Sequence, residues 1–274
     1  MTDMDYAQKV IEDASMGSRI DDYRGSVTEP PTTEVALPGG LFDPLEGELI
    51  KTAVVREVNG WDEEVLARMS QKEGTARGEQ LVTLLERATI SIGDEKATPE
   101  VLDMLYSGDW DALLLGIRIA SFGSEVVWQY PCQGCDNQDR TVTVDLTTDL
   151  TPRHLGLNDP DSFTHEGKRS TYVVGYPKGS STRRMFRTKS VTVAAIVTES
   201  LYGAVVSIDG KPVTDIGQIR SMPSVDRESI FRKVNQQMPS LRLEEVKKTC
   251  NECGSGVRVP LTLAALFRGG AVAV

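Results

Sequence analysis

All four cysteines of this chain fall into two CxxC steps, Cys132-Gln133-Gly134-Cys135 and Cys250-Asn251-Glu252-Cys253, each a short polar turn between two strand-like runs. Nothing else in the sequence restricts the fold as strongly. A CxxC turn presents two thiolates from one knuckle, and two knuckles complete a tetrahedral four-sulfur shell with no position left for water. The pattern predicts a structural zinc site, one Zn2+ per chain, with Cys132, Cys135, Cys250 and Cys253 as ligands. Three plainer fates compete: two disulfides, a pair of redox motifs, or free core thiols. A disulfide within a knuckle closes a tiny strained loop, and the N-terminus does not read as a secretory signal, so oxidative stapling is disfavoured. A redox CxxC opens a helix after a strand, whereas both steps here lead through polar turns into strands.

The spacing is the anomaly. Knuckles of a zinc ribbon lie close in sequence, but here well over a hundred residues separate them. The intervening chain is expected as an insertion whose ends the metal clamps, with an apparent binding free energy of about 10–16 kcal/mol. The predicted division is an N-terminal arm (1–31), a β-hairpin and helical domain (32–122), the first knuckle hairpin (123–146), an inserted α/β segment (147–240), and the second knuckle with a C-terminal tail (241–274). The fold class is α+β: an N-terminal β-hairpin plus helices, then a zinc-ribbon-like β module interrupted by a helical insertion.

At 274 residues, 39% hydrophobic and 26% charged, the chain can bury a real core and has the balance of a soluble globular protein. Its net charge of −10 argues against a nucleic-acid coat, which gains affinity from excess Lys and Arg. No apolar run is long enough for a bilayer; the best, Ala112 to Ala120, contains Arg118. Only His154 and His165 are available for histidine chemistry, both in an expected linker.

Along the chain, Tyr6, Val10, Ile11 and Ala14 offer one weak helical face within the arm. Val35 and Leu37 alternate before Pro38-Gly39-Gly40, and Leu49 to Val58 supplies the second strand of a hairpin. Trp61, Val65 and Met69, then Leu81, Leu84, Leu85 and Ala88, predict two helices with those residues in the core. Thr98-Pro99-Glu100 starts a short helix that Ser107-Gly108 ends, and Asp109 caps a buried one whose Arg118 is expected in an ion pair. Beyond the first knuckle, Thr171 to Tyr176 and the segment around Arg183 to Lys189 read as a second hairpin. Ser190 is expected to cap a helix over 191–202, and Ser224 to start one ending at Gln237.

That second hairpin carries Lys178, Arg183, Arg184, Arg187 and Lys189, the one conspicuous basic cluster of an acidic chain. A solvated face explains it, and so does electrostatic docking on an acidic partner. With Leu266 and Phe267 near the C-terminus, Lys178, Arg183, Arg184 and Arg187 form the candidate interface. No phosphate-binding loop, dinucleotide fingerprint, nucleophile elbow or His-Glu-x-x-His helix is present. A closed four-thiolate zinc performs no chemistry on a substrate, so no catalytic residue is assigned and a non-enzyme is expected.

Several short motifs carry a family resemblance. They are Val35-Ala36-Leu37-Pro38-Gly39, the strand Thr52 to Val58, the helix Asp111 to Gly123, the two CxxC steps, Met222-Pro223-Ser224-Val225-Asp226-Arg227, and Pro260 to Arg268. From about Thr33 to Arg268 the chain resembles the baseplate proteins of contractile-tailed bacteriophages related to the T4 baseplate hub protein. The resemblance implies a structural role in the virion tail baseplate, entered from the host cytoplasm during assembly, with hub and wedge subunits as partners and no small-molecule substrate or membrane. An assembly chaperone absent from the finished particle is the alternative, and a zinc-ribbon nucleic-acid-binding adaptor the weaker one.

Overall fold

Alternation sets the first strands. In the computed structural model, which describes residues 31–71, 77–187, 192–243, 246–259, 261–262 and 266, Val35 and Leu37 turn inward along β1 (Thr32–Asp43), which pairs antiparallel with β2 (Glu48–Arg56). The register runs from Thr32 opposite Arg56 to Ala36 opposite Thr52 and resumes at Leu41 opposite Ile50, so Leu37 to Gly40 bulge against Lys51 alone. Gly40 has φ +82°, a left-handed conformation that costs glycine nothing and a side chain much.

Helix α1 (Gly60–Gln71) does not bury the stripe its sequence suggests. Trp61 is 73% exposed, and Leu66 and Asp62 face inward instead. The reason is an ion-pair network: Asp62 takes Arg56 at 2.6 and 3.1 Å, Arg87 at 2.7 Å and the Asn59 amide at 3.2 Å, which pins that face to the core. Helix α2 (Arg77–Ala88) buries Leu81, Leu84, Leu85 and Ala88 as their spacing predicts. It leads into two strands that sequence reading missed, β3 (Thr89–Ile92) and β4 (Glu95–Lys96), which widen the hairpin to an antiparallel sheet of order β1-β2-β3-β4.

Thr98 caps α3 (Pro99–Met104), accepting from the Val101 amide at 3.4 Å. Ser107-Gly108 then opens α4 (Ser107–Phe122) rather than ending α3. Asp109 is therefore its third residue and not its cap. Its buried carboxylate accepts from the amides of Tyr106 at 3.0 Å, Gly39 at 2.6 Å and Gly40 at 3.1 Å, tying the helix start to the β1 bulge. Helix α4 is apolar nearly all round, with Trp110, Leu113, Leu114 and Ile117 fully buried. Arg118 meets carbonyls rather than the expected carboxylate: Nε donates to Leu266 O and Nη1 to Gly123 O, both at 2.9 Å, and the guanidinium lies over Phe122.

The first knuckle joins β5 (Glu125–Cys132) to β6 (Gln138–Asp145). The following segment contributes β7 (Ser162–Glu166), which includes His165, and β8 (Thr171–Gly175). Here the predicted second hairpin fails. β8 pairs with β7 and with β9 (Val205–Ile208), and the basic stretch is a helix, α5 (Gly179–Arg187). Helix α6 (Val193–Ala204) is capped by Thr192, whose Oγ1 accepts from the Ala195 amide at 3.2 Å; Ser190 lies outside the described residues. Asp209 and Gly210, at φ 50° and 75°, turn β9 into β10 (Lys211–Pro212). Helix α7 (Ile216–Arg220) and α8 (Ser224–Gln237) follow, and β11 (Lys247–Thr249) and β12 (Gly256–Arg258) carry the second knuckle.

The protein is α+β, and between its knuckles it has a four-stranded sheet, β10-β9-β8-β7, beside the helices. One hydrophobic cluster joins the first sheet, α4 and both cysteine hairpins; a second gathers Tyr172, Val174, Leu201, Ile219, Ile230 and Val234. Where the chain leaves and rejoins the cysteine hairpins, Arg153 and Ser240 exchange backbone hydrogen bonds of 2.8 and 3.1 Å. The arm predicted over 1–31 lies outside the described residues except for Pro31. Among the described residues no helix is long and apolar enough to cross a membrane.

Candidate metal centre

Each knuckle is made locally and aimed by its hairpin. In the first, β5 ends at Cys132, a single 3-10 turn spans Gln133 to Cys135, and Asp136 and Asn137 reverse the chain at φ 53° and 58°. Asn and Asp tolerate that left-handed geometry better than other side chains. The Asn137 amide closes the turn on Cys132 O at 3.0 Å. In the second, Cys250 and Ser255 bracket a turn closed by Gly254 N to Cys250 O at 2.9 Å. Cys132 and Cys250 are buried, Cys135 is half-buried and Cys253 is exposed.

The two turns bring four sulfurs together from opposite halves of the sequence, all within 4.8 Å of one another. Cys132 Sγ lies 3.6 Å from Cys253 Sγ, and Cys135 Sγ 4.0 Å from Cys250 Sγ, so each knuckle reaches across to the other. A tetrahedron with metal–sulfur bonds of about 2.3 Å has edges of about 3.8 Å. The four thiols are free, with no disulfide among them. They lie close enough to hold a metal ion, and four sulfurs in this arrangement suit zinc.

Three features test the fit. Gly134 has no room for a side chain: a Cβ there would stand 2.7 Å from Cys253 Sγ, so the residue between the first two cysteines lets the knuckles close. The Tyr130 hydroxyl and Arg140 Nε are buried with no well-formed hydrogen bond. The Tyr130 side chain stands against the Cys250 sulfur, and the Arg140 side chain against the Cys135 sulfur.

The third feature is electrostatic. The Tyr130 hydroxyl and the amides of Cys253 and Glu252 pull the Cys250 thiol down to about 6. The Ser255 hydroxyl and amide lower Cys253. Burial and the neighbouring sulfurs push Cys132 up to about 12. Arg140 draws the Cys135 thiol down, but Cys253 and burial outweigh it and the net shift is upward. Two thiols are thus shifted toward the thiolate and two toward the thiol; a divalent cation bound by all four would hold every sulfur ionised. Tyr130, Arg140, Gly134 and Ser255 were not singled out in the sequence. Strand alternation places Tyr130 on the same face of β5 as Cys132, which is the signal that could have found it.

The candidate interface is dispersed. Arg183 is buried, donates to Asp103 at 2.7 Å, and pairs with Glu86 over the Trp110 ring. Lys178 lies 3.1 Å from the Tyr106 ring centroid, and burial lowers its ammonium to about 8 against the pull of Asp109 and Asp161. Arg184 is exposed, stacks on Tyr202 and pairs with Glu199 at 3.9 Å. Arg187 is exposed at the end of α5. Leu266 is 3% exposed and belongs to the main core, not to a free surface. Lys189 and Phe267 lie outside the described residues.

No match was found among the curated proteins or the solved structures compared with this chain. A family model described as T4 bacteriophage base plate protein matches residues 46–268, spanning both knuckles and everything between them. The chain belongs to the T4 bacteriophage base plate protein family.

Proposed function

We propose that this chain is a permanent, non-enzymatic component of a contractile phage tail baseplate, in the hub or wedge, held in shape by one structural zinc per chain. The family supports a structural role in the virion tail among other tail proteins. The observation that carries the rest is the closed four-sulfur cluster, drawn equally from two distant knuckles. Four protein ligands leave no open coordination position, so the metal supplies rigidity and neither a Lewis acid nor an activated water. In this reading Cys132, Cys135, Cys250 and Cys253 hold the ion. The ion then fixes the β5–β6 hairpin against the β11–β12 hairpin beneath the intervening segment, alongside the Arg153–Ser240 backbone pair. Host cytoplasm is the compartment before assembly, and hub and wedge subunits are the partners.

Quantitative mass spectrometry of purified virions tests the permanent role. The expected result is this chain in fixed ratio to other baseplate proteins. Its absence from finished particles, with presence in assembly intermediates, would instead make it an assembly chaperone. A shift of labelled DNA or RNA at low salt would favour the nucleic-acid adaptor.

A further inference from the structure

Tyr130 and Arg140 stand directly opposite each other across β5 and β6, two residues along each strand from Cys132 and Gln138. The strands put both side chains against the sulfur cluster. Each carries a buried polar atom, the Tyr130 hydroxyl and Arg140 Nε, without a well-formed partner. Of the remaining guanidinium, Nη2 donates to Gln138 Oε1 at 2.9 Å. Buried donors left unsatisfied are rare and need a reason.

The chemistry of the cluster supplies one. A thiol is a weak acceptor and a thiolate a strong one, and four thiolates around a divalent ion leave an excess of two negative charges. Resting on the zinc reading above, we infer that Tyr130 and Arg140 are a cross-strand donor pair for the metal-bound thiolates, Tyr130 serving Cys250 of the far knuckle and Arg140 serving Cys135 of its own. The pair does two things. Arg140 offsets half of the excess charge beside a partly buried site, and Tyr130 orients a sulfur from the other end of the chain. These are positioning residues, since neither ligates the ion. Both donors face sulfurs that the ion holds as thiolates, so their benefit is greatest in the loaded protein.

The test uses the full chain and zinc alone as the probe. Wild type, Tyr130→Phe, Arg140→Gln and Arg140→Lys are titrated in competition with a chromogenic chelator, and each is melted with and without zinc. Each of Tyr130→Phe and Arg140→Gln should still bind one zinc, with affinity about 10–100-fold weaker, and Arg140→Lys should recover part of the Arg140→Gln loss. Metal-free Tyr130→Phe should fall less far below metal-free wild type than zinc-loaded Tyr130→Phe falls below zinc-loaded wild type, because the ion fixes the Cys250 sulfur in place as a thiolate acceptor. Affinities within about twofold of wild type, or equal destabilisation with and without zinc, would overturn the inference. Should Arg140→Gln fail to fold, Tyr130→Phe, which removes one oxygen, carries the decision. A wild type that binds no zinc overturns both this pair and the structural-zinc reading; a wild type that binds zinc beside unaffected variants overturns the pair alone.

Discussion

Replacing Asp109 by Asn exchanges one carboxylate oxygen for an amide nitrogen at the junction of β1 and α4. Three backbone amides now point at that carboxylate: Gly39 at 2.6 Å on Oδ1, with Gly40 at 3.1 Å and Tyr106 at 3.0 Å on Oδ2. The best Asn orientation keeps its oxygen for Gly40 and Tyr106, and sets its own N–H against the Gly39 amide. One buried amide loses its acceptor, at about 1–3 kcal/mol, and two charge-assisted bonds become neutral ones, at about 1 kcal/mol each. Burial raises the Asp109 carboxyl's affinity for a proton, so removing the charge returns part of this loss. The net expectation is about 2–4 kcal/mol, or a melting temperature lower by about 5–15 °C for a domain of this size. Asp109→Ala leaves all three amides without acceptors and should cost more than Asp109→Asn. Urea unfolding followed by tryptophan fluorescence reports the change, since Trp110 is fully buried beside the site. An Asn variant within about 0.5 kcal/mol of wild type, or an Ala variant no worse than Asn, would refute the claim that this carboxylate holds the bulge to the helix.

Asp62 is fully buried; that burial raises its carboxyl, but Arg56, the Asn59 amide and Arg87 outweigh it and hold the group below its ordinary value. Its stabilising contribution is therefore complete above the unfolded value and is lost as pH falls through the folded one. Asp62→Asn should cost about 2–3 kcal/mol at pH 7 and flatten the loss of stability below about pH 4, measured by urea titrations at several pH values. Arg183→Ala removes the shared partner of Glu86 and Asp103 and should destabilise by about 1–3 kcal/mol, whereas Arg187→Ala should stay within about 0.5 kcal/mol; equal effects in chemical denaturation would contradict the division between a buried arginine and an exposed helix end. Gly134→Ala drives a methyl toward Cys253 Sγ and should weaken zinc binding by about tenfold or more in chelator competition, with an unchanged affinity counting against the tight apposition of the knuckles.

What the sequence displayed clearly was local. Each CxxC step sits in its own turn, so both knuckles and their flanking strands were readable, as was the Thr98-Pro99 helix start. That the knuckles meet was inferred from ligand chemistry, since no spacing rule reaches across so long a gap. Failures came where distant partners override a local signal. Pro177-Lys178-Gly179 reads as the turn of a hairpin, yet Gly179 opens α5, whose Arg183 is held by Glu86 and Asp103 from other helices. Apolar counting turned Trp61 inward, because periodicity does not register a buried Asp62 held by two arginines. Asp109 looked like a helix cap because Asp commonly is one; its other two amide partners lie about seventy residues earlier. The donors around the sulfurs were hidden for a related reason: Tyr130 and Arg140 are ordinary strand residues until the register sets them opposite each other.

Whether two distant knuckles share one structural metal is decided by metal analysis of protein purified without chelator. The expected result is about one zinc per chain, lost in Cys132→Ser and Cys250→Ser together with normal folding or assembly. A wild-type chain that is fully folded and assembles while holding no metal would contradict it.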